Sequence, residues 1–331
     1  MKYTPILRWK KGEQDAITCL EEEIKDSIMP LFIIAQGEKI SSQFMNKIEN
    51  GWYDREYYFQ LNESWYSEID SESDYYSIFQ KFYDSLDKDY AIPVFNLSEI
   101  NVISGYVDNF KHGLCIRVQN NEYGLVETVL NDFAKTYGQK NIDLLLDLQH
   151  IKFDDLYEKA SLIKATTMDI ENVAGYRKVI VASASFPKEI SNADNYTIYR
   201  FQRIERLIHE RMVSIAEKMH FNYVYSDYVL SDLIEVEFAP WISPNFKIRY
   251  TCEDSYYYIK GKSLKNGGLD YSEVQRCCQI IIGKSFYCGE NYSWGDGVIN
   301  DIAHRIALGS GNLTNWVSYT YNHHMTLIAK S

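Results

Sequence analysis

Short apolar runs recur along the chain, and between them lie longer stretches whose apolar residues return every three or four positions. Runs at 3–9, 29–35, 57–62, 92–97, 113–119, 141–150, 178–185 and 222–229 have the length and apolar content of buried strands. The run at 141–150 is the plainest. Leu145, Asp147 and Gln149 fall on one face of such a strand and Leu144, Leu146 and Leu148 on the other, because side chains alternate. An all-leucine face suits covering helices. A face of Leu, Asp and Gln suits a barrel interior that becomes polar toward its C-terminal mouth.

The intervening stretches read as helices. One passes through Ala16, Leu20 and Ile24, a tyrosine-rich one covers 74–86, and one over 125–137 ends at Gly138 as its C-cap. Another starts near Asp154. The clearest runs from 199 to 220 through Ile204, Leu207, Ile208, Met212, Ile215, Ala216 and Met219. Eight strands, seven of them separated by helical segments, match the order and size of an α/β, TIM-barrel-like (β/α)8 fold. The runner-up is an open doubly wound sheet, and no glycine-rich fingerprint after the first strand supports it.

Residues 245–331 exceed the barrel. Runs at 246–251 and 256–260, joined through Glu253, Asp254 and Ser255, predict a hairpin. A helix over 269–282 ends at Gly283, a short helix covers 296–307, and 316–328 reads as a last strand. Gly267 and Gly268 form a loop within this tail, and no loose linker precedes it. The expectation is one domain, a 1–244 core with a C-terminal hairpin–helix–strand addition at 245–331 packed on it.

Charge and composition narrow the class. The net charge is −12, with 34 Lys and Arg against 46 Asp and Glu, which argues against nonspecific nucleic-acid binding, since phosphates need clustered cations. A local basic groove stays compatible with that balance. No apolar run is long enough for a membrane span and the start lacks a secretory signal pattern, so a cytoplasmic location is expected. The six cysteines form no C-x-x-C pair, which argues against a zinc ribbon, and several sit in apolar surroundings and read as reduced core residues. The 28 tyrosines point first to aromatic packing and second to a contact surface.

Barrel enzymes carry reactive groups at strand C-termini. That rule gathers Arg8, Lys11, Glu13, Asn62, Asn96, Arg117, Gln119, Asp147, Gln149, Ser185 and Asp227 at the mouth. They read as a pocket with acid, base and anion-binding groups, or as the ordinary polarity of loops that meet water. Arg117 and Asp147, on adjacent strands and both inward, are the best pair, and a structural ion pair explains them equally. His323 and His324 on a strand point to opposite faces, one packed and one solvated, so they do not ligate one metal ion together. Ser293 or Asp296 caps the next helix while Trp294 anchors the segment in the core, or Asp296 does carboxylate chemistry. Lys11, Gly12 and Glu13 read as a tight turn into a helix. There is no phosphate-cradling glycine loop, G-x-S-x-G elbow or H-E-x-x-H.

Two regions of the sequence resemble the Beta protein family of satellite phages and prophages. The first holds Tyr3, Thr4, Pro5, Ile6 and Leu7, then Lys11, Gly12, Glu13, Ala16, Leu20, Lys25 and Ile28 to Leu31. The second holds Tyr287, Cys288, Gly289, Ser293, Trp294, Gly295, Asp296, Ile299, Gly311, Asn312, Thr314, Trp316, Asn322, His323 and His324. Ile248, Arg249 and Tyr250 add to them. The resemblance implies a component of anti-phage defence cassettes, carried beside a toxic partner gene and a small regulator. The chain departs from the family pattern at Ile33, where Glu is common, and at Val317, where Arg is usual.

The expectation is therefore a defence component that acts by protein interaction, sensing infection or restraining a toxic partner encoded nearby. The alternative is a barrel-mouth hydrolase or phosphodiesterase-like enzyme acting on a phosphorylated small molecule or nucleic acid. In it Asp147 and His323 move protons, and Arg8, Lys11, Glu13, Arg117, Gln149, Asp227, Arg249, Trp294, Asp296 and His324 form the binding set. No cofactor and no metal is expected.

Overall fold

The runs read as strands pair in parallel and close on themselves. The computed structural model describes residues 2–34, 48, 50–62, 72–188, 190, 192–230, 245–263 and 269–331. Strands β1 (Tyr3–Arg8), β2 (Leu31–Ile34), β3 (Tyr57–Leu61), β4 (Ala91–Asn96), β5 (Leu114–Gln119), β6 (Ile142–His150) and β7 (Lys178–Ala184) follow one another around a barrel. The strand Tyr223–Asp227 then closes it against β1. Alternation on β6 is as the sequence predicts. Leu144, Leu146 and Leu148 are at most 1% exposed, while Asp143, Asp147 and Gln149 bond to side chains on other barrel strands. The loop Gly267–Gly268 lies outside the described residues.

The barrel interior is built in polar layers. Near the N-terminal ends of the strands, Asp143 accepts from the Tyr58 hydroxyl at 2.6 Å and from Arg177 Nε and Nη2 at 2.8 and 2.6 Å. This is the stabilising end of such a barrel, and the carboxylate is fully buried with its charge paired. Two residues on, along β3 and β5, come Gln60 and Arg117, which begin the layer at the mouth.

Contacts divide the chain into two compact units. The barrel unit comprises 1–9, 26–185 and 204–228, and the second comprises 10–25, 186–203 and 229–331. The second unit holds a three-stranded antiparallel sheet in the order β10 (Asn245–Thr251), β11 (Ser255–Ser263), β8 (Tyr199–Gln202), so the strand Tyr223–Asp227 is β9. The predicted hairpin is β10–β11. The long helix read from 199 is shorter: it spans Ile204–Met219, and Tyr199–Gln202 pairs with β11 instead. Its first four residues have no place on the apolar stripe that starts at Ile204. The N-terminal helix also breaks, at Cys19, into Lys11–Thr18 and Glu22–Ser27.

The expected last strand, 316–328, is overturned. Leu313–Lys330 is one helix, with Asn312 as its N-cap accepting from the Asn315 N–H. Buried Trp316, Thr320, His323 and Leu327 recur at helical spacing, which outweighs the strand propensity of its aromatic and β-branched residues. The addition is therefore hairpin, helix Tyr271–Ile282, helix Trp294–Ala303 and this third helix. Phe246, Ile248, Val274, Ile281, Ile299 and Trp316 form its core. Among the described residues no helix is long and apolar enough to cross a membrane.

Candidate functional site

The strongest polar cluster of the barrel unit is centred on Arg117, at the C-terminal half of β5. Its Nε and Nη2 donate to Asp147 Oδ2 at 3.0 and 2.6 Å, Nη1 to Gln60 Oε1 at 2.7 Å, and Nη2 to the Tyr228 hydroxyl at 2.6 Å. Tyr228 in turn donates to Asp147 Oδ2 at 2.5 Å. Burial opposes the Arg117 charge, but Tyr228 and Asp147 beside it outweigh that and raise its pKa. Burial pushes the Tyr228 hydroxyl well above its ordinary value, Asp147 adding to the effect and Arg117 opposing it.

From Arg117 a ladder of side-chain amides crosses the mouth. Gln60 Nε2 donates to Asn96 Oδ1 at 3.0 Å, Gln119 Nε2 to the same oxygen at 3.3 Å, and Gln149 Nε2 to Gln119 Oε1 at 3.0 Å. Gln149 is aimed by an irregularity in β6: the register with β7 shifts between Asp147 and His150, and Gln149 has φ +58°. Its N–H donates to Asp147 Oδ1 at 2.8 Å, so the carboxylate also fixes the turn. Beside this network the Tyr123 hydroxyl is buried without a hydrogen-bond partner, and burial together with Asp147 raises its pKa well above normal.

The mouth collects only part of the predicted set. Arg117, Gln119, Asp147, Gln149 and Asn96 meet, whereas Lys11 and Glu13 belong to the other unit. Lys11 pairs with Asp15, and Glu13 is 7% exposed. Arg8 ends β1, half-buried. Asp227, the last residue of β9, accepts instead from Tyr3 at 2.6 Å and Tyr225 at 2.8 Å. Ser185 accepts the Ile204 N–H at 3.0 Å at the start of the 204–219 helix. Gln60, Tyr123 and Tyr228 were missed by sequence reasoning. Gln60 was findable, since it follows Tyr58 by two on the same strand face.

In the second unit several C-terminal residues of the family resemblance converge. Asp296, fully buried, accepts from Tyr250 at 2.7 Å, Ser293 at 2.6 Å and His323 Nδ1 at 2.7 Å. His323 Nε2 lies 2.8 Å from the Thr251 carbonyl, so each ring nitrogen faces an oxygen that can accept a hydrogen bond. Its ring stacks on Tyr250 at 4.0 Å between centroids. Burial first, then Asp296, pushes the Tyr250 pKa up. His324 Nδ1 reaches Thr251 Oγ1 at 2.8 Å. Both histidines are buried, correcting the expectation of one packed and one solvated, because the helix that carries them is covered on most sides. Ser293 is the N-cap of helix Trp294–Ala303, and Trp294 is only partly buried, edge-on to Tyr319 at 4.9 Å. Arg249 lies over the Phe186 ring at 4.8 Å and donates to the Leu230 carbonyl.

Two helices on the outside of the barrel unit, Leu156–Asp169 and Ile204–Met219, frame a groove of about 950 Å³. Leu156, Ala160 and Ile163 bury one face of the first helix, but its other face turns Tyr157 and Met168 outward, 76% and 63% exposed, with Phe153 just before it at 65%. Leu207, Ile215 and Met219 line the second wall. The sequence signal was an apolar content that runs around the first helix instead of forming one stripe.

The Beta protein family model matches residues 3–330, nearly the whole chain. No curated protein matches it. Within the second unit, one residue from each terminal motif is joined directly: Asn322 Nδ2 donates to the Ala16 carbonyl at 3.1 Å. The chain belongs to the Beta protein family.

Proposed function

We propose that this protein is the partner-binding component of an anti-phage defence cassette, sensing infection or restraining a toxic protein encoded beside it. The observation that carries the reading is the groove between helices Leu156–Asp169 and Ile204–Met219, where Phe153, Tyr157 and Met168 are each more than half exposed. Soluble monomers seldom leave large side chains grouped in this way unless something covers them. The polar network at the mouth supports the same reading from the other side. Arg117 uses four of its five N–H bonds on Asp147, Gln60 and Tyr228, so a phosphate would have to displace a buried carboxylate to reach it.

One observation favours the alternative, an enzyme acting at the mouth on a phosphorylated small molecule or nucleic acid. The Tyr123 hydroxyl is buried and unpartnered beside Asp147, where a polar ligand would satisfy it. The two readings separate in a phage-protection assay on cells carrying the neighbouring genes. Met168→Asp in the groove should abolish protection and pull-down of the partner, and Tyr123→Phe should leave both intact. Loss of protection in a stable Tyr123→Phe protein, with Met168→Asp still protective, would make the mouth the working site.

A further inference from the structure

The groove is lined by positive side chains. Lys164, Arg211 and Lys218 line it against a single acid, Glu210, and that carboxylate is engaged by Arg206 Nε at 3.3 Å. This basic lining belongs to a protein with net charge −12. The Arg211 guanidinium lies 5.4 Å from the Tyr157 ring centroid, so the cation stands directly beside the exposed apolar floor. The flanking helices have 14 and 16 residues, roughly 21 and 24 Å of wall, room for about three to four turns of a third helix laid between them.

We infer that the groove receives an amphipathic helix of another protein, its apolar face on Tyr157, Met168 and Leu207 and its flanks acidic toward Lys164, Arg211 and Lys218. The inference rests on the interaction reading above and names the partner's chemistry. Apolar anchors at i, i+3, i+4 and i+7 are the way a helix fills a groove of this kind, and carboxylates beside them select the orientation and the partner. A second copy of the chain fits less well, because two surfaces with a net −12 each repel at long range.

The test uses two labelled designed helical peptides with one apolar face, flanked by Glu in the first and by Lys in the second. Binding to the full-length protein is read by anisotropy at low and high salt. The Glu-flanked peptide should bind and weaken as salt rises, and the Lys-flanked peptide should bind roughly tenfold more weakly or worse. Reversing Arg211→Glu and Lys218→Glu together should invert that order, and Met168→Asp should remove both. Met168 is 63% exposed, so this variant should fold, which its melting temperature checks. Equal binding of the two peptides, or none by the Glu-flanked one, overturns the acidic helix. If Met168→Asp still loses the natural partner in that case, interaction through the groove stands and only the chemistry named here falls. Dimers in sedimentation that Met168→Asp converts to monomers would assign the groove to a second copy and overturn the inference.

Discussion

Replacing Arg117 by Ala removes four hydrogen bonds and leaves Asp147, at 0% exposure, with only Tyr228 at 2.5 Å and the Gln149 N–H at 2.8 Å among its bonds described above. Stranding one charge of a buried pair costs about 3–5 kcal/mol. For a unit of this size each kcal/mol moves the melting temperature by about 2–4 °C, so the variant should melt about 6–20 °C below the native protein. Asp147→Ala should cost a similar amount, because Arg117 is then the stranded group. The double variant Arg117→Met, Asp147→Leu removes both charges and fills most of their volume, and should recover much of the loss. Thermal and urea denaturation on all three variants give the numbers. Single variants that lose less than about 1 kcal/mol, or a double variant worse than the sum of the singles, would refute a structural role for the pair. A stable double variant should still protect cells against phage. Loss of protection there, at native stability, would put the pair in the chemistry.

Burial raises the pKa of Tyr58, Tyr123, Tyr228 and Tyr250, so the unfolded chain ionises first, near pH 10, while the folded one keeps these protons. Stability should be full below that pH and fall as pH rises through it, with tyrosinate absorbance appearing together with unfolding; early ionisation of all 28 tyrosines in folded protein would refute it. Gly295 meets the Tyr319 backbone carbonyl so closely that an added Cβ would overlap it, so Gly295→Ala should cost about 1–3 kcal/mol by chemical denaturation. Truncation before Ser293 deletes helices Trp294–Ala303 and Leu313–Lys330 with Ile299, Ile302 and Trp316 of the second core, and should leave aggregated or partly unfolded chain. A truncated protein that melts cooperatively near the full-length temperature would contradict this. Calorimetry of the whole chain tests the expectation that 245–331 share one domain with 1–244: one transition is expected, and two well-separated ones would refute it.

The barrel was legible because its strands are short apolar runs, most of them set between helical segments, and β6 even declares its two faces through Asp143, Asp147 and Gln149 against three leucines. The helix Leu313–Lys330 was misread because Trp316, Val317, Tyr319, Thr320 and Tyr321 favour a strand one by one, while the spacing that decides the matter shows only over three turns. Arg117 and Asp147 were legible as a pair from adjacent strands. Tyr228 was not, since it follows the last residue of β9 and reaches the pair only through the barrel's closure. Of the groove, only the unstriped apolar content of its first helix was legible. A solvent-facing Tyr or Met on a helix looks like one on a buried face until the neighbouring helix is in place.

The bond from Asn322 to the Ala16 carbonyl joins positions 306 residues apart. On a ribosome adding about 5–20 residues per second, the segment holding Ala16 waits roughly 15–60 s for that partner. Ala16, Ile17 and Leu20, all buried in the finished protein, face water or a chaperone during that interval. The last barrel strand, β9, is made well before that partner, so for a time the nascent chain holds every strand of one unit while the other still lacks its last helix. Whatever slows or halts translation between those points lengthens the exposure of that segment, and the yield of this protein should fall with it.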